Sequence, residues 1–436
     1  MPDAAPTPES ASLWRHRDFI MLWSGQSISE LGSSVTTVAL PLTAVVLLKA
    51  STLQVGLLTA ASTVCFLLVA LPAGLVVDRI AKRRLMIGCD VARMLIIGSV
   101  PLAALLGVLT MGQLFAVALL SGLATVFFDV AYQSYVPVLI PREKLHDGNG
   151  KIGATAAFAQ VAGPGLGGGL FGLIGAGSMT VDSVSYAFSS LSLLLIKARE
   201  PRVARSKEVG AGLAGLRTEI LAGLAFVLRH PVLRKIAACT GTANLFGSMA
   251  GTLEIIFLVR VLHVPPADTG LLVAVGSLGG ILGGVLSSRL SRWIGSARII
   301  WFSMLVFGAI PIVMPLAEPG LRLAFFPVAV AGLSFTAVVY NVAQLSYRQL
   351  ICPPELLGRM NAAIRWIVWG TLPLGGLLGG VLGSALGVRP TIWVGVIGSW
   401  AAVFWVLFSP LRRMRDIPRQ DFPAAPAPGD QGLVSV

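Results

Sequence analysis

Glu30 stands inside "SGQSISELGSSV" (24–35), within a stretch from Phe19 to Leu48 whose other residues are nearly all apolar or small. Asp129 and Glu254 lie as deep in apolar surroundings. A charged side chain at the centre of a bilayer costs roughly 2.5–3.5 kcal/mol on insertion scales, so such a group faces water or a partner. Two carboxylates close together in a poorly solvated site cannot both ionise cheaply, which suits them to taking up and releasing a proton. Asp90 and Arg93 are three residues apart, on one helical face, and read as a local ion pair. Asp182, near the end of its apolar run, reads as structural.

The remaining reactive side chains point away from catalysis. Cys65, Cys89, Cys239 and Cys352 are scattered singly, without metal or redox spacing. His16, His146, His230 and His263 are equally dispersed. With no nucleophile, base and metal constellation and no nucleotide-binding loop, the expectation is no enzyme activity, no metal and no cofactor.

The elements that must carry these acids follow from composition. The chain of 436 residues is 55% hydrophobic and 12% charged, with a mean hydropathy of +0.82. Repeated apolar runs are long enough to cross about 30 Å of hydrocarbon. Twelve are counted, from 18–48 and 53–77 through 151–174 and 177–197 to 390–410. Lacking water for their backbone groups, they must be helices. The polar "MPDAAPTPESAS" leads straight into a full-length span, so no cleavable signal peptide is expected.

The net charge of +13 is distributed by side. Lys49, Arg322 and Arg389 fall in outer loops and Arg93, Arg260 and Arg365 within spans; the other 27 of the 33 Lys and Arg fall in inner loops and tails. This positive-inside pattern puts both termini in the cytoplasm. The basic runs carry no aromatic interleaving or recognition motif, so nucleic acid is not an expected partner.

The longest polar interval, 198–231, divides the chain into six runs and six. Its second part, Leu213 to Leu228, reads as an amphipathic helix on the inner face. "GLVVDR" (74–79) aligns with "GVLSSR" (284–289), and "FDVA" (128–131) with "YNVA" (340–343), as in a duplicated six-helix unit. The expected organisation is a polar tail at 1–12, a six-helix half at 13–197, the central loop at 198–231, a second half at 232–412 and a disordered tail at 413–436. In this alignment Glu30 falls near Asn244, Asp129 on Asn341, and Glu254 near Leu40. The first half therefore carries acids where the second carries amides, which bind ligands but carry no proton.

Two motifs sharpen the class. "GLVVDRIAKRR" (74–84) resembles signature motif A of the major facilitator superfamily through Gly74, Asp78, Arg79, Arg83 and Arg84, with Ala81 in place of the usual glycine. Gly74 would permit close helix contact, Asp78 would sit against a helix amino terminus, and a charge pair of Asp78 and Arg83 would latch the two halves. "AGPGLGGGLFG" (162–172) resembles the superfamily's antiporter motif through Gly163, Pro164, Gly167 and Gly168, with Ala159 at the first glycine position. Within the superfamily, 127–150 together with "GRMNAAIRW" (358–366) is similar to the bacterial drug-exporter branch that includes macrolide and enterobactin exporters.

The resemblance implies an all-α membrane protein of twelve helices in two six-helix repeats, with helices 1, 4, 7 and 10 lining a central cavity. Glu30 and Asp129 then become proton-coupling candidates. Asn244, Glu254, Asn341, Phe128, Tyr132, Tyr340 and Arg365 become candidates for the substrate cavity. The function implied is proton-coupled efflux of a small amphipathic organic compound from the cell membrane. The alternatives are an importer or lipid transporter on the same fold, or a non-transporting sensor. Expected partners are the lipid bilayer, a small-molecule substrate and protons or sodium, with the chain a monomer.

Overall fold

A computed structural model describes residues 13–77, 79–141, 144–198, 200, 223–352 and 354–417. The tail expected at 1–12, most of the central loop with its amphipathic helix, and residues 418–436 lie outside the described residues. The first half comprises α1 (Arg17–Leu42), α2 (Thr52–Leu68), α3 (Ala70–Val77), α4 (Lys82–Leu105), α5 (Met111–Leu139), α6 (Leu145–Ile174) and α7 (Met179–Leu195). The second comprises α8 (Leu233–Ile256), α9 (Pro266–Ile294), α10 (Arg298–Val306), α11 (Phe325–Ile351), α12 (Pro354–Ala385), α13 (Val388–Ala401) and α14 (Val403–Leu407). Helix starts follow local chemistry. Ser51 and Gln54 form a reciprocal capping box before α2, and the Thr110 hydroxyl accepts from the Gln113 N–H before α5.

Among the described residues, ten helical stretches are long and apolar enough to cross a membrane. One of the apolar runs behaves differently from the expectation. The run at 53–77 is broken at Val69, leaving Thr52–Leu68 as a helix of 17 residues followed by α3. The runs at 151–174 and 177–197 are the separate helices α6 and α7, divided by a tight 3-10 turn at Gly175–Ser178 that begins with Gly175 at φ 57°.

The halves repeat one another in fine detail. α1 ends in a π-helical turn at Thr43–Leu47 and α8 in one at Phe257–Val261. Just beyond these turns, Lys49 and His263 both adopt positive φ, 51° and 55°. For residues other than glycine this conformation is uncommon, so its recurrence at matching places reflects one duplicated design.

Three apolar clusters define the shape. One, around Phe19, Met86, Phe128 and Leu193, belongs to the first half. Another, around Leu233, Ile300, Tyr347 and Val403, belongs to the second. The third crosses between halves, joining Val38, Leu42 and Leu58 to Leu253, Phe257 and Phe326. It lies at the end of the bundle opposite Arg17, Leu195, Leu233 and Leu407. There α2 packs along α12 and α6 along α9. Among the described residues, the cluster joining the halves lies at this far end, and the clusters nearer the termini each stay within one half.

Candidate functional site

The loop between α3 and α4 is held from within its own half. The Arg83 guanidinium donates to the carbonyls of Leu193 and Leu194, both at 2.7 Å, while the backbone N–H groups of Lys82 and Arg83 donate to the Glu200 carboxylate at 2.8 and 2.7 Å. Glu200 caps the positive end of α4. Asp18 holds the N–H groups of Lys197 and Ala198 in the same way, at 3.2 and 2.9 Å. Among the described residues the Arg83 side chain is held by carbonyls at the end of α7 in its own half; the expected latch with Asp78 falls on a residue outside the described ones. Among the described residues, no atom lies within 4 Å of where a Cβ on Gly74 would stand, so the close helix contact expected there is not seen. Arg79 and Arg84 are exposed, and Asp78 lies outside the described residues.

The second half repeats the device with Asp416, whose carboxylate accepts from the Ser296 N–H at 2.9 Å and hydroxyl at 3.2 Å at the start of α10. These donors hold the Asp416 carboxyl below the usual carboxylate range. Sequence reading missed Asp18, Glu200 and Asp416. The available signal was an acid placed just past the last apolar run of each half.

The antiporter-like motif does its work where the halves touch. A Cβ on Gly163 would overlap the Ser34 side chain of α1, and one on Gly167 would stand 2.8 Å from the Val35 carbonyl oxygen. One on Gly168 would stand 2.6 Å from the Gly270 Cα of α9, across the boundary between halves. Pro164 lies inside α6, one residue after Gly163, and lines the central cavity. Small residues there permit backbone-to-backbone approach. Nearby, Arg260 donates to the carbonyls of Val45 at 3.2 Å and Ala50 at 2.7 Å, tying the far end of the second half to the first.

Two cavities occupy the interior. The central one, about 550 Å³, lies between the halves and is bordered by Thr37, Ser62, Asp182, Ser248 and Glu254. The other, about 360 Å³, lies within the second half and is lined by Asn244, Glu254, Tyr340, Asn341 and Trp400. Glu254 borders both.

Glu30 and Asp129 are brought together with two arginines. Asp129 lies within electrostatic reach of Arg93, Arg365 and Glu30, and Glu30 accepts from the Gln26 amide at 3.2 Å. Arg93 is ion-paired with Asp90, and both are buried. Its guanidinium is sandwiched between the rings of Phe128 and Tyr186, 4.3 and 4.2 Å from their centroids. Ser33 connects the Tyr186 hydroxyl, 2.8 Å away, to the Asp182 carboxylate at 3.4 Å. A polar chain therefore runs from Asp182 through Ser33, Tyr186 and Arg93 to Asp90. Arg365 comes from the other half, is exposed, and stacks 4.8 Å over the Trp369 ring.

The other cavity candidates divide. Phe128 is 2% exposed and supports Arg93, so its expected place on the cavity wall is corrected to the first-half core. Tyr132 stacks on Phe128, and its buried hydroxyl has no partner among the described residues. Tyr340 is buried with its hydroxyl 2.8 Å from the Thr240 hydroxyl, yet borders the second-half cavity. Asn244 donates to the Val368 carbonyl at 3.2 Å, and Asn341 accepts from Gln344 at 3.3 Å. Among the described residues no group of three or more His, Cys, Asp or Glu could hold a metal ion.

The comparisons with known proteins agree with this architecture. The multidrug efflux pump Tap of Mycolicibacterium fortuitum is 27% identical over 371 residues, covering 83% of this chain and 88% of that one. Macrolide efflux protein A of Streptococcus pyogenes is 22% identical over 387 residues, covering 87% and 93%. The crystal structure of a bacterial homologue of the iron transporter ferroportin in its inward-facing state shares the fold with a TM-score of 0.70, at 15% identity, over 91% of this chain and 98% of that one. The family model described as transmembrane secretion effector matches residues 9–431. The chain is therefore a membrane transporter rather than an enzyme and belongs to the transmembrane secretion effector family of the major facilitator superfamily.

Proposed function

We propose that the chain is a proton-coupled exporter of small amphipathic organic compounds, a twelve-span protein of the bacterial plasma membrane with both termini in the cytoplasm. The observation that supports this reading is that Asp129 lies in the field of Glu30, Arg93 and Arg365, charges drawn from both halves of a bundle whose halves are joined by an apolar cluster at the far end. Protonation of Asp129 changes its balance with Arg93 and Arg365, one from each half, and protonation of Glu30 its balance with Arg93. The preferred spacing of the halves then depends on the proton. Substrate enters from the terminus end, and opening of the far end releases it outside as protons enter.

The efflux-pump relatives support the direction. A strain lacking the gene and its complemented counterpart, screened for susceptibility and accumulation across a broad compound panel, identify a substrate. Everted membrane vesicles then accumulate that compound only while a proton gradient, acid inside, is maintained. Accumulation that a protonophore does not abolish, or that occurs only in right-side-out vesicles, contradicts the proposal.

A further inference from the structure

The acids of the two halves differ in what faces them. Glu30 and Asp129 share the field of Arg93, and Asp129 also that of Arg365. Glu254 has no hydrogen bond, ion pair or cation within electrostatic reach among the described residues. The other arginines of that region are committed: Arg260 to the carbonyls of Val45 and Ala50, and Arg389 to the Ala317 carbonyl. A deep carboxylate without a partner is expensive unless something periodically satisfies it.

Glu254 also stands at the junction of the two cavities, opposite Leu40 of the first half across the central one. Beyond it, the second-half cavity offers the indole of Trp400, the thioethers of Met304 and Met314, and Tyr340. The Trp400 N–H is already bound to the Leu305 carbonyl at 3.0 Å, so its ring is fixed in place. Aromatic faces and polarizable sulfur beside a lone carboxylate favour a cation carrying an apolar body.

We propose that Glu254 anchors a cation subsite. It receives the protonated or quaternary nitrogen, or another onium centre, of an amphipathic ligand whose apolar body occupies the second-half cavity. This rests on the reading of the chain as a transporter of amphipathic compounds and adds the charge of the substrate. It also separates the roles of the acids, with Glu30 and Asp129 taking the proton and Glu254 the ligand.

The test uses the purified full chain in nanodiscs with two probes of similar shape: tetraphenylphosphonium, a permanent cation, and triphenylphosphine oxide, which is neutral. Glu254→Gln is expected to weaken tetraphenylphosphonium binding by about tenfold or more while the neutral probe changes by less than about twofold. In the unmutated chain, modification of Glu254 by a hydrophobic carbodiimide, followed by mass spectrometry, is expected to be slowed by tetraphenylphosphonium and not by the oxide. The second measurement decides the matter if the variant folds poorly. Failure of the unmutated chain to bind tetraphenylphosphonium, equal binding by a folded Glu254→Gln protein, or absence of protection overturns the subsite. Glu254-dependent binding in a protein whose vesicles show no export leaves the subsite standing and overturns the exporter reading instead.

Discussion

Arg93 is the residue on which the first half turns. Buried with Asp90 and clasped by Phe128 and Tyr186, it is also the cation whose field reaches Glu30, Asp129 and Asp182. Removing one member of such a pair leaves a desolvated charge, which costs about 3–5 kcal/mol. Arg93→Gln should therefore lower the melting temperature of the purified protein sharply, and the double variant with Asp90→Asn should recover much of the loss. Full stability of the single variant would show that Asp90 is satisfied elsewhere. At the membrane edge, the His230 Nδ1 accepts from the N–H groups of Val232 and Leu233, both at 3.2 Å, at the start of α8. Burial lowers its pKa from 6.5. The folded chain therefore binds fewer protons here than the unfolded chain. This contribution is complete above 6.5 and fades as pH falls through that value toward the lower folded one. His230→Ala should cost about 1 kcal/mol near neutrality and flatten the acid side of the stability profile, measured by thermal unfolding from pH 5 to 8.

At the scale of elements, closure of the far end depends on backbone contact between α6 and α9 and on the Arg260 tie. Gly168→Leu places a side chain where the Gly270 backbone lies, so the two helices must part. Transport should fall on the order of tenfold while the protein remains folded. Arg260→Gln loses charge-assisted bonds to two carbonyls, worth roughly 1.5–3 kcal/mol each. It should move the population toward an open far end, read as longer distances between spin labels at Leu106 and Leu321, both exposed there. Unchanged distances would mean that Arg260 is not a latch. Apolar length made most of the helices legible in advance, and local alignments pointed to the duplication that the paired π-helical turns repeat. The break at Val69 was hidden because an uninterrupted apolar run does not show where one helix ends and the next begins. Phe128 was misplaced for a related reason. Phe128 is turned about 100° from Asp129 on the same helix, and periodicity does not reveal that the Arg93 guanidinium lies over its ring. The solitude of Glu254 was likewise invisible, since a missing partner shows only when every neighbour is in place.

For the whole molecule, the account holds that a bundle shut at one end and parted at the other alternates, and that protonation of Glu30 and Asp129 gives the alternation its direction. On this proposal, binding and rocking belong to the scaffold and coupling to the two carboxylates. Glu30→Gln and Asp129→Asn keep side-chain shape and remove the titrating group, so they separate these roles. The most direct measurement reconstitutes each variant in proteoliposomes with the compound identified by the susceptibility screen. It compares equilibrium exchange with uptake driven by a pH gradient. The account predicts that both variants exchange substrate at rates near those of the unmutated chain and that neither concentrates it when a gradient is imposed. A variant that concentrates substrate with unmodified pH dependence would contradict the account by removing its residue from the coupling step.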